Sequence, residues 1–199
     1  MYCRNRPFGY VTFVNPQPAK GVFWFARIAH ELNRRRPDIL LLVVEGRGQV
    51  DWLACSDLDM SGLTNLHQMA STPDPRQFYS VSRLVLMPSL VQEGLARVAV
   101  EALINGIPVL ASRRGGLPEA LAGSGFLFDI PAQYTPGSRK APTAEEVAPW
   151  VTTIERLWDD DAYYQAERER CLASALTWSS ERVLARFEEF FGNVLRTGR

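Results

Sequence analysis

The sequence predicts an α/β fold: a doubly wound, mainly parallel sheet followed by a helical C-terminal tail. Three observations carry this. From Tyr10 to Phe128, short apolar runs alternate with helical patterns, the rhythm of strand-helix-strand units. The run at 39–45 is continuously apolar, as a strand covered on both faces is. From Thr143 onward the pattern turns almost wholly helical. The length of 199 residues and a hydrophobic share of 46% suit a globular domain with a sizeable core.

Each element has its own signal. Tyr10-Val11-Thr12-Phe13-Val14 is a β-branched and aromatic strand that enters a turn at Asn15-Pro16-Gln17-Pro18. A helix over 21–35 places Phe25, Ile28, Ala29 and Leu32 on one face and stops at Pro37. A strand over 39–45 turns at Gly46-Arg47-Gly48. A short helix at 50–55, a strand at 63–69 and a helix at 75–81 follow. Residues 84–87 form the next buried strand, 97–105 a helix stopped by Gly106, 108–111 a strand, 117–122 a short helix and 125–128 the last strand. Residues 131–142 are a polar loop, and Thr143-Ala144-Glu145-Glu146 has the capping-box pattern that opens a helix. We therefore divide the chain into a core at 1–142 and helices at 143–199 that pack on the same domain.

Composition excludes several classes. Lys and Arg number 22 and Asp and Glu number 22, so no global field favours nucleic acid. Cys3, Cys55 and Cys171 are odd in number and lack CxxC spacing, against a disulfide framework or zinc site and in keeping with a reducing, cytoplasmic setting. No apolar run approaches the ~18 residues of a membrane span, and the polar start at 1–6 lacks a signal-peptide core, so any membrane contact is expected to be peripheral.

The strongest functional signal lies at 88–102, where a strand ends and a helix begins. Glu93 and Glu101 stand eight positions apart. Eight steps of about 100° make two turns and a little more, so the two could be near-neighbours on one face only if both were helical, and Gly94 argues against helix at Glu93. Glu93 is thus expected in the loop at the helix mouth and Glu101 inside the helix, where one ligand could meet both. The N–H groups of Leu95, Ala96 and Arg97 would point at that ligand, an anion-binding arrangement.

These residues resemble the donor-binding signature of retaining, nucleotide-sugar-dependent glycosyltransferases of the GT-B fold, the group-1 class that includes glycogen synthase and sucrose synthase. The resemblance rests on Glu93-x7-Glu101, on the run from Ala102 through Gly106, Pro108 and Ser112, and on Gly115-Gly116-Leu117-Pro118-Glu119. Weaker matches extend it over most of the chain. It implies the C-terminal, Rossmann-like half of a GT-B enzyme. It also implies roles: Glu93 meets hydroxyls of the donor sugar, Glu101 holds the ribose, and the amides from Gly94 through Leu95, Ala96 and Arg97 bind the diphosphate. Lys20-Gly21 fits the family's phosphate-gripping lysine, which makes Lys20 and Glu93 the implied catalytic pair. Gly115 and Gly116 would let the backbone approach the sugar, and the base would meet the segment around Met69-Ala70-Ser71. The donor would be a UDP- or GDP-sugar, with no further cofactor and no metal.

The chain departs from the pattern in one place. The family's Arg, separated from Lys-Gly by four residues, is Asn15 here, an amide that donates a hydrogen bond but carries no charge. Arg47, Arg97, Arg113 or Arg114 could substitute. A GT-B transferase also needs an acceptor domain, and nothing before Tyr10 supplies one. The expectation is a fragment, a naturally short protein or one half of a two-chain enzyme, inactive in isolation, whose acceptor hydroxyl is unidentified. Two other readings stay open: a non-catalytic nucleotide-sugar binding module, and a GT-B-like nucleotide-sugar epimerase.

Other candidates read as ordinary structure. Gly46-x-Gly48 is a strand-to-helix turn, and Asp57-x-Asp59 and Asp159-Asp160-Asp161 are solvated loops. Glu119 suits a first helical turn, His30 and His67 have no ligand partners at metal or triad spacing, and Ser89 lacks a hydrolase elbow. Val183, Leu184, Phe187, Phe190, Phe191, Val194 and Leu195 form a broad stripe on the last helix. It is expected either to pack on its own domain or to cover an absent partner, with self-association where it stays uncovered.

Overall fold

The computed structural model describes residues 9–197; the polar start at 1–6, with Cys3, lies outside them. Strands β1 (Tyr10–Val14), β2 (Leu40–Val44), β3 (Leu66–Met69), β4 (Ser82–Met87), β5 (Val109–Ser112) and β6 (Phe126–Phe128) form one sheet. Their order is β3-β2-β1-β4-β5-β6, and every neighbouring pair is parallel. The sheet is doubly wound, as the alternation predicts. Its order reverses between β1 and β4, and sheets of this kind bind ligands beyond the strand ends at that switch.

Period-two alternation explains how each strand serves two cores. Val11, Phe13, Leu41, Val43, Leu84, Leu86 and Leu110 face one layer, which contains α1 (Val22–Arg35) and α5 (Ala144–Asp159). Leu42, Val44, Val85, Val109 and Ala111 face the other, with α3 (Arg97–Ile104), α4 (Leu117–Leu121) and Cys171 of α6 (Asp161–Ala175). A four-residue helix, α2 (Arg76–Tyr79), lies between β3 and β4. Trp150 of α5 stacks on Phe128 at 4.4 Å and meets Trp24 of α1 at 6.2 Å, so the tail helix completes the first core. Truncating so large a buried side chain costs about 3–5 kcal/mol.

Local polar chemistry moves several element ends. β4 starts at Ser82, earlier than its apolar run, because the Ser82 hydroxyl donates to the Phe78 carbonyl at 2.7 Å and lies 2.6 Å from Thr12 Oγ1. β3 starts at Leu66, later than expected, because Asn65 turns inward and donates to the Ile39 carbonyl at 2.7 Å. The helix expected at 50–55 is a 3-10 turn at Val50–Leu53, whose first N–H donates to Glu45 Oε1 at 3.0 Å. The capping box of α5 forms: Thr143 Oγ1 accepts the Glu146 N–H at 3.2 Å and Glu146 Oε2 accepts the Thr143 N–H at 2.8 Å.

Packing of the tail stops short of α7 (Ser180–Thr197). This helix contacts chiefly the Leu176–Trp178 turn and leaves Leu184, Phe187, Phe190, Phe191 and Leu195 exposed. Among the described residues no helix is long and apolar enough to cross a membrane.

Candidate functional site

The loops after β1, β2, β3 and β4 meet in a cleft of about 550 Å³ at the switch point. Asn15, Lys20, Gly46, Arg47, Ser71, Ser89, Glu93, Leu95, Ala96, Arg97 and Glu101 all line it. The sequence-predicted residues of the β1, β2 and β4 loops therefore converge, and the segment expected at the base contributes Ser71.

Glycine geometry brings Lys20 to Glu93 across 73 positions of sequence. Gly21 has φ +83, and a Cβ there would stand 1.9 Å from the Pro88 carbonyl oxygen, so only glycine lets the Lys20 loop lie against the Pro88 loop. The two loops are tied further by the Leu90 N–H, which donates to the Ala19 carbonyl at 2.9 Å. On the far side Gly115 has φ +56, and a Cβ there would stand 2.3 Å from the Glu93 nitrogen. Gly116 donates its N–H to the Glu93 carbonyl at 2.7 Å. The two glycines thus clamp the Glu93 loop directly. A Cβ at Gly94 would meet open space, so packing does not require that glycine.

The result is a preformed ion pair. Lys20 Nζ donates to Glu93 Oε1 at 2.6 Å and to Oε2 at 2.8 Å, with side chains 31% and 12% exposed. Ser89, at the end of β4, donates its hydroxyl to Glu93 Oε1 at 2.7 Å. Ser89 is therefore a positioning group for the carboxylate, a role the sequence offered no signal for.

The helix mouth differs from expectation at one amide. Ala96, with φ −76 and ψ 77, closes a tight turn in which the Arg97 N–H donates to the Leu95 carbonyl at 2.9 Å, so that amide is occupied. The Leu95 and Ala96 N–H groups make no hydrogen bond among the described residues, and α3 has no side-chain cap. Two orphan donors therefore remain at the cleft. Glu101, one turn further along α3, accepts a hydrogen bond at 2.9 Å from the Tyr79 hydroxyl. Sequence reasoning passed over Tyr79, which looks like any aromatic residue at a helix end.

The candidate cations separate. Arg114 donates to the Leu90 carbonyl at 2.8 Å and reaches the Ile130 carbonyl, so it is structural. Arg113 pairs with Asp129 at 3.2 Å. Arg47 and Arg97 line the cleft. Asn15 sits at φ +65, a left-handed conformation that Asn tolerates better than most residues. Its Oδ1 accepts the Gly48 N–H at 2.8 Å and Gln17 Nε2 at 3.0 Å, which leaves its amide nitrogen as the group able to serve a ligand.

The remaining candidates have local roles. Asp59 Oδ1 accepts from the Ser61 N–H at 3.0 Å, Asp159 pairs with Arg36 at 2.8 Å, and Asp160 caps α6 through the Tyr163 N–H at 2.9 Å. His67 meets the Tyr10 ring edge-on at 5.4 Å.

A switch-point cleft with a lysine-glutamate pair and two orphan amides offers donors that a polar, anionic ligand can use. Residues 6–135 match the family described as glycosyl transferases, group 1, and the chain belongs to that family. A lipopolysaccharide 1,2-N-acetylglucosaminetransferase from Salmonella typhimurium is 30% identical over 187 residues, which cover 88% of this chain and 46% of that protein. A D-inositol 3-phosphate glycosyltransferase from Arthrobacter is 30% identical over 154 residues, 73% of this chain and 33% of that one. The chain spans less than half the length of these curated relatives.

Solved structures agree on the fold. The pneumococcal O-GlcNAc transferase GtfA, in complex with UDP and GlcNAc, superposes with TM-score 0.70 at 16% identity, over 94% of this chain and 36% of that one. Anabaena HepE, in complex with UDP and glucose, gives 0.65 at 22% identity, over 95% and 48%. The C-terminal domain of a group 1 family glycosyl transferase from Francisella tularensis gives 0.64 at 18% identity and is covered over 85% of both chains. The architecture is the one found in GT-B glycosyltransferases.

Proposed function

We propose that this chain is the donor-binding half of a retaining glycosyltransferase, which moves a sugar from a nucleoside diphosphate sugar to an acceptor hydroxyl. The observation that carries the reading is the cleft at the sheet switch point, where the Lys20–Glu93 pair lies beside the orphan amides of Leu95 and Ala96. UDP bound by two of the structural neighbours favours the same ligand class.

Chemistry follows from charge. As the bond between the anomeric carbon and the diphosphate breaks, negative charge grows on the departing oxygen, and preorganised donors stabilise it. Lys20, the two amides and the Asn15 amide nitrogen are those donors. A diphosphate that shares the Lys20 ammonium with Glu93 loosens that ion pair, while Ser89 continues to hold the carboxylate facing the sugar hydroxyls. Gly94 leaves open the side on which the sugar would lie. Glu101 accepts the ribose hydroxyls. The acceptor is held by a second domain or partner chain, against which the exposed α7 stripe packs; without it, large apolar patches are seldom left in water and the isolated chain self-associates.

A second reading, a nucleotide-sugar binding module without catalysis, is favoured by the uncharged Asn15. Calorimetry with UDP- and GDP-sugars, paired with donor turnover in the presence and absence of simple acceptors, tests both. The transferase half is expected to bind donor yet transfer no sugar alone. Slow donor hydrolysis would exclude the non-catalytic module, and robust transfer by the 199-residue chain would overturn the half-enzyme reading.

A further inference from the structure

Tyr79 carries a polar hydroxyl into the second core. It ends α2 and is 3% exposed, set among apolar residues of the second core. Its neighbour Phe78 lies against it, ring centroids 4.4 Å apart, which limits how the phenol can swing. Its hydroxyl reaches two acceptors on α3, Glu101 Oε2 at 2.9 Å and the Val98 carbonyl at 3.3 Å. One hydroxyl proton serves them, and the nearer, charged oxygen is the stronger acceptor. Glu101 lines the cleft, whereas Tyr79 does not. The phenol therefore grips the carboxylate from behind.

We propose that Tyr79 is a positioning residue that fixes Glu101 so that its other carboxylate oxygen, Oε1, faces the vicinal hydroxyls of a ribose. This rests on the donor-binding reading above and names the device that makes that end of the cleft selective for ribonucleotides. A glutamate on an exposed helix face samples many rotamers, and ordering it costs entropy that must be met either at folding or at binding. The Tyr79 bond moves that cost to folding. It also assigns the two oxygens different work, since Oε2 is held by the phenol while Oε1 makes no hydrogen bond among the described residues. Burial, and then the Glu101 charge, raise the Tyr79 pKa, so the phenol stays a donor across the working pH range. Sequence position reinforces the orientation: β4 begins three residues after Tyr79, so the hydroxyl is anchored to the sheet and not to a mobile loop.

Calorimetric titration of UDP, GDP and their 2′,3′-dideoxy counterparts tests this in the parent chain, Tyr79→Phe, Glu101→Gln and the double variant. The Phe ring fills the same space, and unchanged affinity for the dideoxy ligands reports an intact cleft. The parent should prefer ribonucleotides. Tyr79→Phe should lower that preference about tenfold, the scale of one well-placed hydrogen bond, and should add nothing further once Glu101 is Gln. A purely structural tyrosine would instead weaken ribo and dideoxy ligands together, or change neither; either result overturns the proposal and leaves the donor-domain reading standing. A parent that binds none of the four ligands overturns that reading, and this inference with it.

Discussion

Replacing Glu93 by Gln should tighten the binding of a bare nucleoside diphosphate, although Glu93 is itself part of the site. The reasoning is electrostatic. Lys20 Nζ lies 2.6 and 2.8 Å from the two carboxylate oxygens, so its charge is largely answered before any ligand arrives. A phosphate oxygen held by the same ammonium at about 3 Å sits within about 6 Å of the carboxylate. Two unit charges at that distance repel by about 0.7 kcal/mol in water and about 2.8 kcal/mol at an effective dielectric of 20. Because Lys20 is 31% exposed, solvent screens the site and the lower part of that range applies. About 1 kcal/mol, or roughly fivefold tighter UDP or GDP, is the expected gain. A nucleotide sugar should gain less, because the same substitution weakens the contact with sugar hydroxyls. Calorimetry of UDP and of a UDP-sugar at low and high salt measures both, and the gain should shrink as salt rises. Unchanged or weaker UDP binding in Glu93→Gln would refute the claim that the diphosphate shares Lys20 with Glu93.

Asn15→Arg should not simply restore a cation: it removes the acceptor of the Gly48 N–H and places a long side chain at φ +65. Urea unfolding should show a loss of about 1–2 kcal/mol. Thr143→Ala should cost about 1 kcal/mol through loss of the α5 cap, read by the same method. The Glu146 carboxyl beside it is raised by burial but held below its usual range overall by the Thr143 and Tyr134 donors. Its contribution is complete above the unfolded carboxyl's pKa of about 4.3 and is lost as pH falls through the lower folded value, so acid should narrow the gap between parent and Thr143→Ala. Phe187→Ser with Phe191→Ser should convert a self-associating chain to a monomer by sedimentation velocity.

Much of this molecule is legible from its sequence, for identifiable reasons. Strands buried on both faces are written as uninterrupted apolar runs, so β2 and the core of β4 can be read directly. Where a strand begins with polar residues, as β4 does at Ser82, the cause is a partner far away in sequence, Thr12, and no local pattern reports it. The same limit governs the site. Lys20, Glu93 and Glu101 stand out because motif spacing marks them, but their direct pairing depends on loop contacts made possible by Gly21 and Gly115. The work of Ser89 and Tyr79 exists only once Glu93 and Glu101 are placed. The arginines could be sorted only in three dimensions, because Arg113 and Arg114 are adjacent in sequence yet serve Asp129 and the loop carbonyls of Leu90 and Ile130. The stripe of α7 is plain in the sequence, whereas its exposure is not.

The central claim, that this chain holds a nucleoside diphosphate at the β1–β4 switch point, is tested most directly by thermal unfolding of the parent chain against a panel of nucleoside diphosphates. A ligand that binds only the folded state adds RT ln(1 + [L]/Kd), about 2.7 kcal/mol at 100 times Kd, which for a domain of this size raises Tm by roughly 5–10 °C. The account predicts such a rise for at least one of UDP and GDP, together with a smaller rise in Lys20→Met. An unchanged Tm with every nucleoside diphosphate up to millimolar concentration would contradict it.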